Sequence, residues 1–206
     1  MAIAHKDIPD SGLHEPKGVA SAAAGTVYVA NGSGSGSWID PIPTDLPRLG
    51  WANYSDYSSS VVAQSITSST WTTLANDGLG AQTNTDYLPT GVTSLWNPGP
   101  DQLDFSDLPL GSEVELRLNM NITTSAANQA VLGRLSLAIG HGSAYTLPTF
   151  NQQFKSAGTY GVSIYTGLFI GNEFTRDYPG EIQIWTDASA TVRVSGWYIK
   201  VTRVSV

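Results

Sequence analysis

Strict alternation of apolar and polar residues is the feature that most constrains the fold of this chain. Between residues 113 and 122 every even position is apolar and every odd position is polar. A period of two places all the apolar side chains on one face of an extended strand, so this segment predicts a long β-strand with one buried side. No segment has the i, i+3, i+4, i+7 apolar spacing of an amphipathic helix. We therefore predict an all-β protein in which any helix is short.

Other strand-like segments follow along residues 51–206, separated by turns rich in glycine, proline and asparagine. About seven or eight strands in one domain of this length indicate a single antiparallel β-sandwich or jelly roll. A turn at residues 187–190 further predicts that the two segments around it form a β-hairpin. The additional predicted strands cover residues 61–66, 71–74, 132–139, 160–170, 181–186 and 191–194.

The C-terminal segment changes phase close to Gly196. Val192 and Val194 have one parity, whereas Ile199 and Val201 have the other. Either a β-bulge at Gly196 shifts the phase, or both faces of the strand are buried. A terminal strand that is apolar on both faces would lie at a subunit contact, and from this second interpretation we predict that the body forms trimers.

Residues 1–50 differ in composition from the rest of the chain. They contain three prolines after residue 40, and a glycine–serine stretch at residues 32–37 predicts flexible coil. Only residues 26–29 look like a strand, and a lone strand needs a partner for its backbone hydrogen bonds. We therefore predict that residues 1–50 form an attachment arm and linker, which docks by adding this strand to a sheet of another protein.

The charge balance excludes several classes of partner. Only 13% of the 206 residues are charged and the formal net charge is −7, so we expect no binding to nucleic acid and no attraction to anionic membranes. No cysteine is present, and no apolar run approaches the roughly 18 residues that span a bilayer. Residues 1–10 lack the features of a secretory signal peptide. We therefore expect a soluble protein that is made in a cytosol.

Two parts of the chain resemble known proteins. Residues 8–38, which include Leu-His-Glu-Pro-Lys-Gly at positions 13–18, resemble the N-terminal attachment segment of virion surface proteins of tailed bacteriophages, such as head fibres and capsid decoration proteins. The body is similar to trimeric jelly rolls of the tumour necrosis factor and C1q type, with Leu-Pro-Leu-Gly at positions 108–111 and Gly-Trp-Tyr-Ile at positions 196–199.

This resemblance implies a homotrimer on the surface of a phage particle, synthesised in the cytoplasm of the bacterial host. The arm would bind the major capsid protein or another virion component, and the jelly-roll body would face outward. The implied function is that of a structural subunit that decorates the capsid, with no enzymatic activity and no cofactor. The residues expected to attach the arm are Leu13, His14, Glu15, Pro16, Lys17, Val27, Tyr28 and Val29.

An alternative function is that of a tail fibre adhesin that recognises host surface glycans. Aromatic side chains pack against sugar rings, and Tyr54 and Tyr57 are predicted to form an exposed pair that could contact a glycan. Loops expected at residues 87–100 and 145–154 would hold the ligand. The adhesin and the decoration subunit both remain open at this point.

Candidate catalytic and metal-binding residues are few. The three histidines lack metal-binding spacing. Glu113 and Glu115 could pair as the carboxylates of a glycosidase, but alternate residues on one strand face are better explained as a solvated surface. Asp101, Asp104 and Asp107 could bind calcium if their loop curled, whereas aspartates in turns usually accept hydrogen bonds from the backbone. We expect no catalytic residue and leave the calcium site open.

Overall fold

The computed structural model describes residues 21–33, 36–39, 48–76 and 83–204. The chain divides into two compact units, Met1–Leu46 and Pro47–Val206. We call them the arm unit and the body.

The arm unit contains a β-hairpin. Strand β1 (Val27–Ala30) pairs antiparallel with β2 (Gly36–Ile39). Across this pair the ring of Tyr28 meets the ring of Trp38 edge-on, with centroids 5.4 Å apart. The expectation that the strand at residues 26–29 has no partner within the arm is wrong, and so is the assignment of the whole glycine–serine stretch to coil, because its last residues belong to β2.

The described residues of the body form mainly strands, with two short helices. The strands in the first part of the body are β3 (Arg48–Tyr54), β4 (Gln64–Ile66), β5 (Thr72–Thr73), β6 (Thr83–Asn84), β7 (Trp96–Asn97) and β8 (Gln102–Leu103). The later strands are β9 (Glu113–Thr124), β10 (Gln129–Leu137), β11 (Tyr145–Phe154), β12 (Gly158–Phe169), β13 (Glu181–Thr186) and β14 (Ala190–Arg203). The helices are α1 (Tyr57–Val61) and α2 (Glu173–Asp177).

Two antiparallel sheets form the sandwich. One is a six-stranded sheet with the order β12-β9-β14-β3-β6, in which β4 also pairs with β14, and the other is a four-stranded sheet with the order β11-β10-β13-β5. From β9 to β14 the chain changes sheet at every connection except the β10–β11 hairpin. This topology is a jelly roll, so the predicted all-β antiparallel sandwich is confirmed.

The hydrophobic core lies between the two sheets. Each even-numbered residue of β9 from Val114 to Thr124 is buried, and none of the odd-numbered ones is, as the alternation predicts. Strand β14 contributes the fully buried Trp197, whose ring centroid lies 5.0 Å from that of Trp96. The apolar phase of each long strand therefore determines which of its faces enters the core.

The predicted hairpin around residues 187–190 is wrong. Strand β13 pairs with β10 and β5, whereas β14 pairs with β9, β3 and β4, so the turn carries the chain from one sheet to the other. The buried side chain of Gln129 fixes this crossing. Its amide donates to the Ala188 carbonyl at 2.8 Å, and its oxygen accepts from the Ser125 N–H at 2.9 Å. Because each sheet buries one of its faces, strands of both sheets have the same alternation of apolar and polar residues. The sequence pattern therefore did not distinguish a hairpin within one sheet from a connection between the two sheets.

Three segments differ from the predicted elements. Strand β3 begins at Arg48, inside the range predicted for the arm. The predicted loop at residues 145–154 is strand β11, whose polar and apolar positions alternate only weakly because it is a sheet edge. The start of the predicted strand at residues 61–66 is the end of α1. At the beginning of this helix the Asp56 carboxylate is the N-cap and accepts the Ser59 N–H at 2.8 Å.

A β-bulge in β14 explains the change of phase near its middle. The register with β9 shifts between Val194 and Trp197, and Gly196 has a φ of +112°. The bulge interpretation is confirmed. The alternative, burial of both faces, is wrong, because Tyr198 and Lys200 face outward and are only partly buried. The trimer prediction was derived from a C-terminal strand that is apolar on both faces, so this structural argument for trimers no longer holds.

Replacing Gly196 by alanine is expected to destabilise the body. A Cβ at this position would lie 2.4 Å from the Tyr54 carbonyl oxygen, and the backbone conformation is one that only glycine adopts readily. Backbone strain alone is expected to lower the free energy of unfolding by about 1–3 kcal/mol, measured by urea denaturation. The control is Gly161→Ala, whose Cβ would meet its nearest atom at 3.7 Å. Equal stability of the two variants would contradict this role of Gly196.

Candidate functional site

Several of the exposed large apolar side chains of the body lie on or beside the outward face of the six-stranded sheet. Leu49 of β3 is 67% exposed, and on β12 Tyr165 and Phe169 are 65% and 69% exposed. Tyr87 is 58% exposed. A cluster of large apolar groups in water marks a surface that contacts another molecule. We define the aromatic face by the side chains of Leu49, Trp51, Tyr87, Tyr165, Phe169 and Tyr198.

Stacked rings order one side of the aromatic face. The Trp51 ring stacks on Tyr87 with centroids 4.8 Å apart and an interplanar angle of 16°, and its centroid lies 5.8 Å from that of Tyr198. The guanidinium carbon of Arg117 lies 5.1 Å from the centre of the Tyr198 ring. A Cβ on Gly50 would lie 2.4 Å from the Tyr87 carbonyl oxygen, so glycine is required for this segment to pack against β3. These contacts hold the rings in fixed positions.

A hydrogen-bonded group of charged and phenolic side chains lies on the same face. The Tyr165 hydroxyl donates to the Glu115 carboxylate, and the Lys200 ammonium donates to the same carboxylate at 3.1 Å. These two hydrogen bonds, that from Tyr165 first, hold the pKa of Glu115 below its ordinary value. The carboxylate raises the pKa of both Tyr165 and Lys200. The charges on this side of the sheet are thus locally balanced.

The far half of the same sheet face is polar. The Ser163 hydroxyl donates to the Asn119 side-chain oxygen at 2.9 Å, and the hydroxyls of Thr123 and Thr159 lie 2.8 Å apart. Asn121 is exposed between them. The exposed apolar groups therefore lie at one end of the sheet, on β12 and β3, with charged residues of β9 and β14 between them.

An apolar groove adjoins the aromatic face. It has a volume of about 620 Å³ and lies where β11 and β12, the outer strands of their sheets, come together. Its apolar wall includes Leu147, Leu168 and Phe174, and Phe169 also lines it. Because Phe169 belongs to both features, the apolar surface continues from the sheet face around the edge of the sandwich.

The predicted exposed pair of tyrosines is wrong. Tyr54 is only 5% exposed, and its hydroxyl accepts the Leu95 N–H at 2.8 Å, so it is part of the core and cannot contact a glycan. Tyr54 lies two residues after Ala52 in β3, so both side chains are on the face of the strand that is buried in the core. Tyr57 is 60% exposed on α1, and its role as a glycan contact stays a prediction.

The predicted attachment residues fall in two places. Leu13, His14, Glu15, Pro16 and Lys17 lie outside the described residues. Val27, Tyr28 and Val29 are all in β1, where Val27 and Val29 share one face with Ile39 of β2 and the three are 43–44% exposed. The hairpin thus presents a small aliphatic surface on the face opposite the Tyr28 and Trp38 rings.

The three aspartates considered for calcium do not converge. The carboxylates of Asp101, Asp104 and Asp107 accept hydrogen bonds from three separate main-chain N–H groups, at 3.0, 2.9 and 2.8 Å. Each therefore stabilises a different turn, in agreement with the backbone interpretation. Among the described residues no group of three or more histidine, aspartate or glutamate side chains could hold a metal ion.

The sequence analysis missed the aromatic face, although its signal was present. In β12 the buried residues are Ile164 and Leu168, and the opposite phase is otherwise small or polar. Tyr165 and Phe169 occupy that solvent-facing phase. A large aromatic residue in the polar phase of a strand is the local sign of a contact surface, but only the pairing of strands places the aromatic residues of β3, β12 and β14 together.

Comparisons with known proteins establish resemblance in fold only. No protein-family model and no curated protein sequence matches the chain. Among solved structures, the Eiger TNF of S. frugiperda is 8% identical with a TM-score of 0.44, covering 76% of this chain and 93% of that one. The PRD1 vertex protein P5 is 16% identical with a TM-score of 0.33, covering 76% and 96%. A chain of infectious bursal disease virus, Gt strain, is 10% identical with a TM-score of 0.38, covering 85% and 37%.

The described residues include no helix with the length and apolar character needed to span a membrane.

Replacing Tyr165 by phenylalanine is expected to raise the pKa of Glu115 toward its ordinary value, because the strongest hydrogen bond to the carboxylate is lost. Lys200→Met is also expected to raise it, because the carboxylate loses a hydrogen bond and a neighbouring positive charge. A lowered pKa favours the fold at neutral pH, and this contribution disappears as the pH falls through the lowered pKa. The measurement is a pH titration of the Glu115 carboxyl carbon by NMR. An unchanged pKa in Tyr165→Phe would contradict the assigned geometry.

Proposed function

We propose that this chain is a structural protein of a virus particle, with an N-terminal arm that attaches to the particle and a jelly-roll body that self-associates and faces outward. The observation that carries the proposal is the aromatic face. It groups exposed aromatic and apolar side chains on one face of the six-stranded sheet, and such groups mark protein interfaces.

Self-association is supported by the chemistry of the aromatic face. Tyr, Trp and Phe side chains and an arginine are enriched in protein interfaces, and this face contains all of them. The Glu115 carboxylate is already paired with Lys200, so burying Glu115 in an interface would not leave its charge uncompensated. The number of subunits, three, comes from the resemblance of the body to trimeric jelly rolls.

Attachment by the arm is supported by the hairpin in the arm unit. An isolated two-stranded hairpin is only marginally stable in water, and this one exposes Val27, Val29 and Ile39 on one face. Binding to a larger assembly would bury that face, and pairing of the hairpin with a sheet of that assembly would add backbone hydrogen bonds. In a trimer the three arms would bind together, so that weak single contacts add up to stable attachment.

The specific particle is inferred from the resemblance of residues 8–38 to phage attachment segments. On that basis we place the chain on the capsid of a tailed bacteriophage, as a decoration or head fibre subunit without enzymatic activity or cofactor.

Self-association is tested by light scattering of the full chain after size-exclusion chromatography at about 10 μM. The expected mass is three times the 21.8 kDa of one chain. Phe169→Asp is expected to shift the protein to monomer, because it places a charge in the apolar contact. Asn121→Asp, which adds the same charge in the polar half of the sheet, is expected to remain trimeric. A monomeric wild type, or a trimer unaffected by Phe169→Asp, would refute the proposed interface.

Attachment is tested by deleting residues 1–46, the arm unit, and counting copies of the protein on purified phage particles by quantitative mass spectrometry. We expect incorporation to fall more than about tenfold while the oligomeric mass of the body stays unchanged. A full-length variant in which Val27, Val29 and Ile39 are all replaced by serine should show the same loss. Normal copy numbers after the deletion would exclude anchoring by the arm.

A further inference from the structure

The outward face of the four-stranded sheet has a second set of aromatic residues, on the side of the sandwich away from the aromatic face. Leu132 of β10 is directly opposite Trp185 of β13. Thr72 of β5 is paired with Ile184 of β13. In this antiparallel register Trp71, the residue before Thr72, lies opposite Trp185 and continues the row. All three side chains of this row are partly exposed. Residues that face water in a sheet are usually polar. This apolar row is therefore a candidate ligand-binding surface.

An ordered polar row lies next to the tryptophans. The Arg134 Nε donates to the Gln183 side-chain oxygen at 2.8 Å, and the Gln183 amide donates to the Glu181 carboxylate at 2.7 Å. Thr73 and Gln102 donate to the same carboxylate at 2.6 and 3.0 Å. These side chains are fixed by one another before any ligand binds, so binding would cost little side-chain entropy.

Arg134 connects the two rows. Its guanidinium carbon lies 4.0 Å from the centre of the Trp71 ring. Only its Nε has a hydrogen-bond partner in the described part of the chain, so its terminal amino groups are available as donors. Burial raises the pKa of Glu181, but the hydrogen bonds from Thr73, Gln102 and Gln183 outweigh it and leave that pKa below its ordinary value. The surface therefore presents one cation and one anion, with donors and acceptors side by side.

We propose that this surface binds neutral sugar units of a polysaccharide, with Trp185 packing against the sugar ring and the row of Arg134, Gln183 and Glu181 hydrogen bonding to its hydroxyls. A pyranose offers an apolar C–H face and hydroxyls that both donate and accept, which is the combination that this surface complements. The balanced charge of Arg134 and Glu181 favours a neutral ligand over a phosphate-bearing or uronic acid polymer. This inference does not rest on the attachment or the self-association proposed above, since it uses neither the arm nor the aromatic face.

The test is isothermal titration calorimetry of the full chain with dextran, mannan, galactan and a rhamnan as neutral probes, and with hyaluronan as the anionic one. We expect binding to at least one neutral polysaccharide. Trp185→Ala is expected to weaken it about tenfold or more, while Trp185→Tyr, which keeps a ring, retains most of it. Arg134→Met should also weaken binding. Tyr87→Ser, which removes an exposed ring beside the other sheet of the body, is the matched control and should bind as the wild type does.

Any one of the following outcomes would overturn the proposal. These outcomes are no binding to any neutral probe at millimolar sugar concentration, binding to hyaluronan alone, or binding lost in Tyr87→Ser and kept in Trp185→Ala. A change of oligomeric mass in Trp185→Ala, with its circular dichroism spectrum unchanged, would identify the surface as a contact between copies of the chain. Tryptophan fluorescence during the titration gives a second readout, because Trp185→Ala should lose the ligand-induced change.

Discussion

The arrangement of the body depends on the register of β14. This strand lies between β9 and β3 and also pairs with β4, so it joins most of the six-stranded sheet. Its bulge at Gly196 reverses which residues face the core. Before the bulge Val192 and Val194 point inward, and after it Trp197 does, while Tyr198 points outward. Without that one-residue shift, Trp197 would face water and Tyr198 would be buried, so both the core and the aromatic face follow from it.

The two outward faces of the sandwich differ in the exposure and the surroundings of their aromatic side chains. On the six-stranded sheet Phe169 is widely exposed and continues into an apolar groove, which suits contact with another protein surface. On the four-stranded sheet Trp71 and Trp185 are partly buried beside a complete hydrogen-bonded row. That arrangement suits a small polar ligand. The jelly roll can hold both because each sheet has one face free of the core.

Part of this architecture could be predicted from the sequence. The period of two in β9 predicted the strand, its buried face and the all-β class, because every inward position of a one-sided strand is apolar. The change of phase near Gly196 predicted either a bulge or two buried faces, and the structure has the bulge. The crossing at residues 187–190 could not be predicted, because one-sided strands look alike in either sheet. The exposure of Tyr54 was predicted wrongly because the polar residues next to it in the sequence suggested an exposed segment, although its side chain lies on the buried face of β3.

The sequence by itself determined which face of each long strand is buried, since burial follows from the local pattern of side chains. It also marked the arm as different in composition from the body. Only the tertiary structure decided which strands are neighbours, and thus which outward side chains meet. Trp51 and Tyr198 pack together although they are far apart in the chain, and Arg134 lies over Trp71 in the same way. Local alternation carries no information about the partner of a strand, so the candidate sites became visible only when the sheets were assembled.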